Sequence, residues 1–241
     1  MSMPQTREIG YRPYQRRDRT AVAAILYRTG FQGEDLQGTG RFNDRRLFAL
    51  VHTECYVQFH ARDAFVAYDR SDGKVVGYVL GAPDSAAHDL LYRRRMAWRI
   101  TLRACLVSWW KHPESFRQVR MWSRMGDAMA APYYRDYPAH LHIDILPEYQ
   151  RMGIGEHLMR LFEDRMARQG AAGIHLITST RNLKALPFYQ KIGYTMLEKS
   201  PGAYWRDLEG QVSVVFGKKL QPRRPPSGAQ KGKAPSDLAQ D

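Results

Sequence analysis

The chain has 241 residues, 44% of them apolar, and its 37 Lys and Arg against 24 Asp and Glu give a formal net charge of +13. That length and apolar content support one enlarged domain, and the two cysteines, Cys55 and Cys105, make no disulfide framework and lack the spacing of a zinc site. No run approaches the roughly 18 apolar residues of a membrane span, and Arg7 and Arg12 precede no apolar signal core, so a reduced cytoplasmic protein with no membrane partner and no metal is expected.

Ile9 to Gln15 alternates as an edge strand, and Val22, Ile25, Leu26 and Thr29 recur at helical spacing before Gly30 stops the run. A polar loop leads to a second predicted helix from Arg45 to Tyr56, with Leu47, Leu50, Val51 and Glu54 one turn apart. Ala64 to Tyr68 and Val75 to Leu80 are aromatic and β-branched strands joined through Ser71, Asp72 and Gly73, a hairpin pattern. In the next segment, Leu91, Trp98, Leu102, Cys105 and Trp109 predict an amphipathic helix that ends before Pro113. This stripe is expected to face the core, with Arg93, Arg94, Arg95, Arg99 and Arg103 on a solvated back or facing a polyanion or substrate. A shorter helix is predicted from Phe116 to Ala131.

His140 to Leu146 is a β-prone run with His140, His142 and Asp144 on one side and Leu141, Ile143 and Ile145 on the other. A helix from Gly153 to Gln169 follows, with Ile154, Leu158, Leu161, Phe162 and Met166 as its buried stripe. Then come a strand at Ala172 to Ser179, a helix at Leu183 to Lys191, and strands at Tyr194 to Glu198 and Gln211 to Phe216. The fold class is α/β (α+β), a mixed central sheet with flanking helices and a helical insertion at about 84–138. One domain is expected over 1–220; residues 221–241, rich in Pro, Gly and basic charge, read as a flexible tail.

The stretch PEYQRMGIG, Pro147 to Gly155, turns the chain sharply into a helix whose first amides lack intrahelical partners. Glycine at 153 and 155 leaves those donors uncovered and Arg151 adds charge, so a phosphate can approach the backbone. Taken alone, the same residues also suit a tight turn with close helix packing. They match neither the dinucleotide fingerprint nor the nucleotide-triphosphate loop.

The run HIDILPEYQRMGIGEHLM resembles motif A of the GNAT superfamily, the acetyl-CoA-dependent N-acyltransferases, with Gln150, Arg151, Gly153 and Gly155 in the signature positions. NLKALPFYQKIGY is similar to the family's second motif through Asn182, Ala185, Phe188, Tyr189, Gly193 and Tyr194. Tyr137 to Gly155, with GAAGIHLITS, also resembles the acetyltransferase-like domain of O-GlcNAcases and its free-standing bacterial relatives. The resemblance implies a GNAT fold and acetyl-CoA as cofactor, its pyrophosphate on the amides of Arg151, Met152, Gly153, Ile154 and Gly155. It places the pantetheine arm beside Ile143 and Ile145 in a splay between the two central strands, with Gln150, Asn182 and Tyr189 also at the cofactor. A backbone amide near Ile143 or Ile145 is the implied carbonyl donor.

Direct transfer to an amine needs a proton acceptor for the amine and a proton for the leaving thiolate. The resemblance assigns the second role to Tyr189. His140, His142 and Asp144 share one strand face, so either imidazole can act as base with Asp144 orienting it or binding the cationic amine. Many family members carry a carboxylate earlier on this strand, where this chain has Ala139. Tyr133, Tyr134 and Tyr137 are candidates to frame the acceptor. The expected activity is acetyl transfer to a primary amine on a small molecule or protein; the alternative is a weak or inactive acetyl-CoA-binding or protein-interaction module of the same fold. Basic charge alone is a weak pointer to nucleic acid, and a homodimer is left open.

Overall fold

The computed structural model describes residues 7–125, 129–201, 205, 210 and 212–221. Seven strands form one sheet: β1 (Ile9–Pro13), β2 (Phe65–Asp69), β3 (Val75–Ala82), β4 (Ala139–Ile145), β5 (Gly173–Ser179), β6 (Thr195–Pro201) and β7 (Val212–Lys219). Their order is β1-β2-β3-β4-β5-β7-β6, and only the β4–β5 neighbours run parallel. A parallel pair needs a crossover, supplied by α8 (Ile154–Arg168). Hairpin chemistry accounts for β2–β3: Asp69 accepts from the Ser71 amide and hydroxyl at 3.0 and 2.6 Å, and Gly73 takes a positive φ of 74°.

The first half of the sheet is covered by α1 (Arg19–Thr29), α2 (Arg45–His52) and α3 (Glu54–Phe59) on the face that carries His140 and His142. The helix predicted from Arg45 to Tyr56 breaks at Thr53, whose φ of −122° is not helical. Glu54, at the start of α3, instead accepts from Arg19 Nε at 2.8 Å and Nη2 at 2.6 Å. On the opposite face α8 buries Ile154, Leu158, Met159, Phe162 and Met166. The predicted stripe is shifted there, because Met159 is buried and Leu161 only half-buried. Gly81 on β3 permits this close packing, since a Cβ there would overlap the Phe162 ring. After β5, α9 (Ala185–Lys191) sets Phe188 against Gly155.

Between β3 and β4 lies a helical layer: α4 (Ser85–Arg95), α5 (Ala97–Arg103), a π-helical turn (Ala104–Ser108), α6 (Trp109–Lys111) and α7 (Pro113–Met125). The expected core stripe of this layer is corrected. Met96, Ile100, Ala104 and Ser108, four residues apart, face inward and are buried, whereas Trp98, Leu102, Cys105 and Trp109 are exposed. Asp44 sets the rotation: its carboxylate, 1% exposed, caps α2 by accepting from the Leu47 amide at 3.0 Å and binds Arg103 at 2.7 Å and Ser108 Oγ at 2.6 Å. Arg103 therefore leaves the predicted solvated face. The expected tail lies outside the described residues beyond Gln221. Of the helix predicted from Phe116 to Ala131, residues 126–128 lie outside the described residues, and the chain forms a turn at 129–130 and a 3-10 turn at Ala131–Tyr133 instead of continuing the helix. Among the described residues no helix is long and apolar enough to cross a membrane.

Candidate active site

The β3–β4 ladder runs unbroken from Ala82↔His140 to Gly77↔Ile145, but β4 and β5 pair only at Ala139↔Ile174 and His140↔His175. Beyond His140 the two parallel strands separate. The β5-facing edge of β4 from Leu141 to Ile145 thus has no strand partner among the described residues, and its backbone groups are available to a ligand. A pocket of about 200 Å³ opens in this gap, lined by Leu141 to Asp144 on one side and Leu176 to Ser179 on the other.

The turn that follows β4 is held to it by Gln150, whose Nε2 donates to the Ile145 carbonyl at 3.1 Å. Arg151 and Gly153 then take positive φ values of 64° and 78°. α8 begins at Ile154 with no side-chain cap, so its first amides and the positive end of its dipole meet open space. A Cβ built at Gly153 has no neighbour within 4 Å, and Arg151 and Met152 are exposed. These features fit a pyrophosphate held by backbone amides. Gly155 is constrained by packing as well: its Cβ position lies 3.1 Å from Phe188 and 3.2 Å from Ile145. Asn182 accepts from the Ala185 amide at 3.3 Å and so caps the entry to α9, while also lining the pocket.

Two faces of β4 are used differently. Ile143 lines the pocket and Ile145 packs toward α8, whereas Asp144 and His142 meet Tyr78 on β3. The Tyr78 hydroxyl donates to Asp144 Oδ2 at 2.5 Å and lies 3.3 Å from His142 Nδ1, which is itself 3.3 Å from the same Asp144 oxygen. Burial, reinforced by Asp144, holds Tyr78 well above the ordinary tyrosine pKa, so it keeps the proton it donates. With Nδ1 turned to Asp144 and Tyr78, Nε2 is the His142 nitrogen left for another partner.

Tyr189 lies on α9 at the same pocket, packed by Phe188, Tyr194 and Phe216. Burial and then the Asp144 charge raise its pKa, which keeps the hydroxyl protonated. His52 sits 6.3 Å from His142, and burial, aided by His142, pushes it down to about 3, so it is neutral. His52 Nε2 and both amide atoms of Gln32 are buried at the pocket with no hydrogen-bond partner among the described residues. Phe48, Trp122 and Trp205 complete this wall as an aromatic cluster, with Trp122 and Trp205 edge to face at 5.7 Å.

His140 is corrected as a base candidate. Its Nε2 is engaged by the Tyr56 hydroxyl at 2.8 Å and its Nδ1 by Ser85 Oγ at 2.7 Å, and burial first, then the surrounding imidazoles, keep it neutral. Nor do the three tyrosines expected to frame an acceptor reach the pocket. Tyr133 donates to Glu198 at 2.9 Å, Tyr134 to Asp89 at 2.9 Å, and Tyr137 packs under Lys219. Position 139 is an alanine, fully buried, and supplies no carboxylate. Tyr78, His52, Trp122 and Trp205 are the residues missed in the sequence; for Tyr78 the β3–β4 register alone reveals it. A second depression of about 730 Å³, between α1 and the β2–β3 turn, contains Arg12 and Arg28. Those cations are committed to Asp18 and Glu148.

The family model described as Acetyltransferase (GNAT) family matches residues 34–194. Among solved structures, SsHAT is 30% identical, with a TM-score of 0.71 over 88% of this chain and 98% of its own. The yncA protein of Salmonella typhimurium, solved with its cofactor acetyl-CoA, is 13% identical with a TM-score of 0.51 over 90% of this chain and 97% of its own. An agmatine N-acetyltransferase in apo form is 15% identical with a TM-score of 0.52 over 88% of this chain and 99% of its own. The last two likenesses concern the fold alone. The splayed strands, the uncapped helix and the family match agree: this chain belongs to the GNAT acetyltransferase family.

Proposed function

We propose that the protein transfers the acetyl group of acetyl-CoA to a primary amine on a small acceptor, without a covalent enzyme intermediate. The observation that carries this reading is the convergence of Tyr189 and the Tyr78–Asp144–His142 set on the gap between β4 and β5. Acetyl-CoA, when bound, supplies an acetyl group already activated as a thioester. The amides from Arg151 to Gly155 would hold its pyrophosphate, and the unpaired β4 edge from Leu141 to Ile145 would receive the arm and donate to the carbonyl.

His142 accepts the amine proton at Nε2, with Asp144 fixing Nδ1 and offsetting the charge gained by the ring. Tyr189, at the same pocket, holds a proton that it would deliver to the departing sulfur. The acceptor lies against Phe48, His52, Trp122 and Trp205. The small volume and the unused amide of Gln32 favour a compact amine that also carries a neutral hydrogen-bonding group. The narrower likeness to O-GlcNAcase-attached domains rests on two stretches of sequence, Tyr137 to Gly155 and Gly170 to Ser179.

Thiol release from acetyl-CoA across an amine panel tests the proposal. Turnover on at least one amine is expected, with Tyr189→Phe retaining acetyl-CoA affinity while kcat falls about 10²-fold. Tight acetyl-CoA binding with no amine-dependent thiol release would favour the binding-module reading instead.

A further inference from the structure

We propose that the outward face of the α5–α6 helical layer docks this protein in the plane of an anionic bilayer surface. Trp98, Leu102, Leu106, Trp109 and Trp110 are 60, 50, 63, 58 and 58% exposed. Single exposed hydrophobes are ordinary, but these five lie on one continuous helical segment, with Met96, Ile100, Ala104 and Ser108 buried on its other side. The segment is amphipathic in the reverse sense to its core-directed reading: its largest apolar side chains point away from the protein. A patch of this kind marks a binding surface.

The charges identify what covers it. Residues 90–113 contain Arg93, Arg94, Arg95, Arg99, Arg103 and Lys111 and no Asp or Glu. Arg103 is committed to Asp44 and Arg99 to Gln58, while Arg93, Arg94 and Arg95 before the segment and Lys111 at its end are exposed. Of the flanking carboxylates, Glu114 is paired with Arg117, and Asp89 accepts from the Tyr134 hydroxyl and offsets part of the Arg93 charge. Tryptophan and leucine bordered by arginine and lysine suit the headgroup region of a bilayer, where the apolar side chains enter the acyl boundary and the cations meet lipid phosphates. A second copy on a twofold axis would bring Arg94, Arg95 and Lys111 against the same cations of the partner. A nucleic acid would use the arginines but leave the leucines without a role.

Such docking is separate from spanning. The expectation of no membrane partner rests on the lack of an apolar segment long enough to cross, and an interfacial helix needs no such length.

Co-sedimentation of the full-length protein with vesicles tests the inference, using phosphatidylcholine alone and phosphatidylcholine mixed with phosphatidylglycerol at about 0.15 M salt. Binding to the mixed vesicles with a blue shift in tryptophan emission is expected. Leu102→Ser combined with Trp109→Ser should weaken it at least tenfold without changing the thermal midpoint. Leu106→Asp is the second variant should that pair unfold. Arg94→Gln with Arg95→Gln should reduce the preference for the anionic vesicles severalfold. Two results overturn the proposal: no binding to either vesicle, which a wild-type dimer dissociated by these variants in sedimentation velocity would explain, or binding that the folded apolar variants leave unchanged.

Discussion

Tyr78 and Asp144 stand directly opposite each other on β3 and β4, and the tyrosine hydroxyl donates to the carboxylate at 2.5 Å. Because that carboxylate also lies 3.3 Å from His142 Nδ1, Tyr78 fixes the orientation of a group that in turn fixes the proposed base. Tyr78→Phe should lower kcat/KM by about tenfold to a hundredfold and change its pH dependence, and should cost about 1–2 kcal/mol of stability through the hydrogen bond left unmade. Steady-state rates across pH, alongside urea unfolding, measure both. An unchanged pH profile would reduce Tyr78 to a core residue.

The two glycines of the turn should separate in their effects. Gly153 has φ of 78° and open space around it, so Gly153→Val strains the backbone by about 1–2 kcal/mol and covers the amides. Gly153→Asn tolerates the left-handed conformation and should retain more acetyl-CoA affinity than the valine variant. Gly155→Val meets Phe188 and Ile145 instead, so overpacking of about 1–3 kcal/mol should appear chiefly as a lower thermal midpoint. Calorimetric titration of each folded variant with acetyl-CoA distinguishes the two cases; equal affinity of wild type and Gly153→Val removes the cradle.

The turn from Pro147 to Gly155 and the alternation of β4 were legible because they depend on local spacing: glycine where φ is positive, and side chains two residues apart on one face. Trp98, Leu102 and Trp109 misled for the same local reason, since large apolar residues one turn apart imitate a core stripe. What turned the helix the other way is a tertiary contact, the Asp44 carboxylate with Arg103 and Ser108, which periodicity does not encode. His140 and His142 were equivalent by alternation, and only neighbours distant in sequence tell them apart: Tyr56 and Ser85 occupy both nitrogens of one, Tyr78 and Asp144 a single nitrogen of the other.

Asp44 should therefore be a stability residue of the helical layer. Burial opposes its charge, but Arg103, Ser108 and the Leu47 amide outweigh it and hold the carboxyl below its ordinary pKa. Asp44→Ala leaves Arg103 without its partner and α2 without its cap, so a loss of about 3–5 kcal/mol is expected. Since the folded-state pKa is depressed, the contribution is complete above the unfolded value and disappears as acid protonates the group. Denaturant unfolding at neutral pH is the check, and a loss under about 1 kcal/mol would show that the layer is anchored elsewhere.

A second acid sensitivity comes from the histidines behind β4. His88 lies 4.7 Å from His140 and 5.1 Å from His60, with His175 5.7 Å from His140. Tyr56, Tyr92, Tyr134 and Ser85 enclose the group, and Asp63 faces it only through His60. Burial and then His60 push His88 down to about 4, and burial likewise lowers His60, His140 and His175. Between pH of about 6.5 and 4 the unfolded chain consequently binds protons that the folded one refuses, so stability rises with pH in this window and is lost as pH falls. Each such histidine contributes a slope of up to about 1.4 kcal/mol per pH unit. His88→Phe keeps a ring against Tyr56, now stacked at 4.6 Å, while removing one titrating group. The slope of unfolding free energy against pH should then flatten by about 1 kcal/mol per unit within the window. A slope identical to wild type would mean that His88 already protonates in the folded state and that the cluster accommodates the charge.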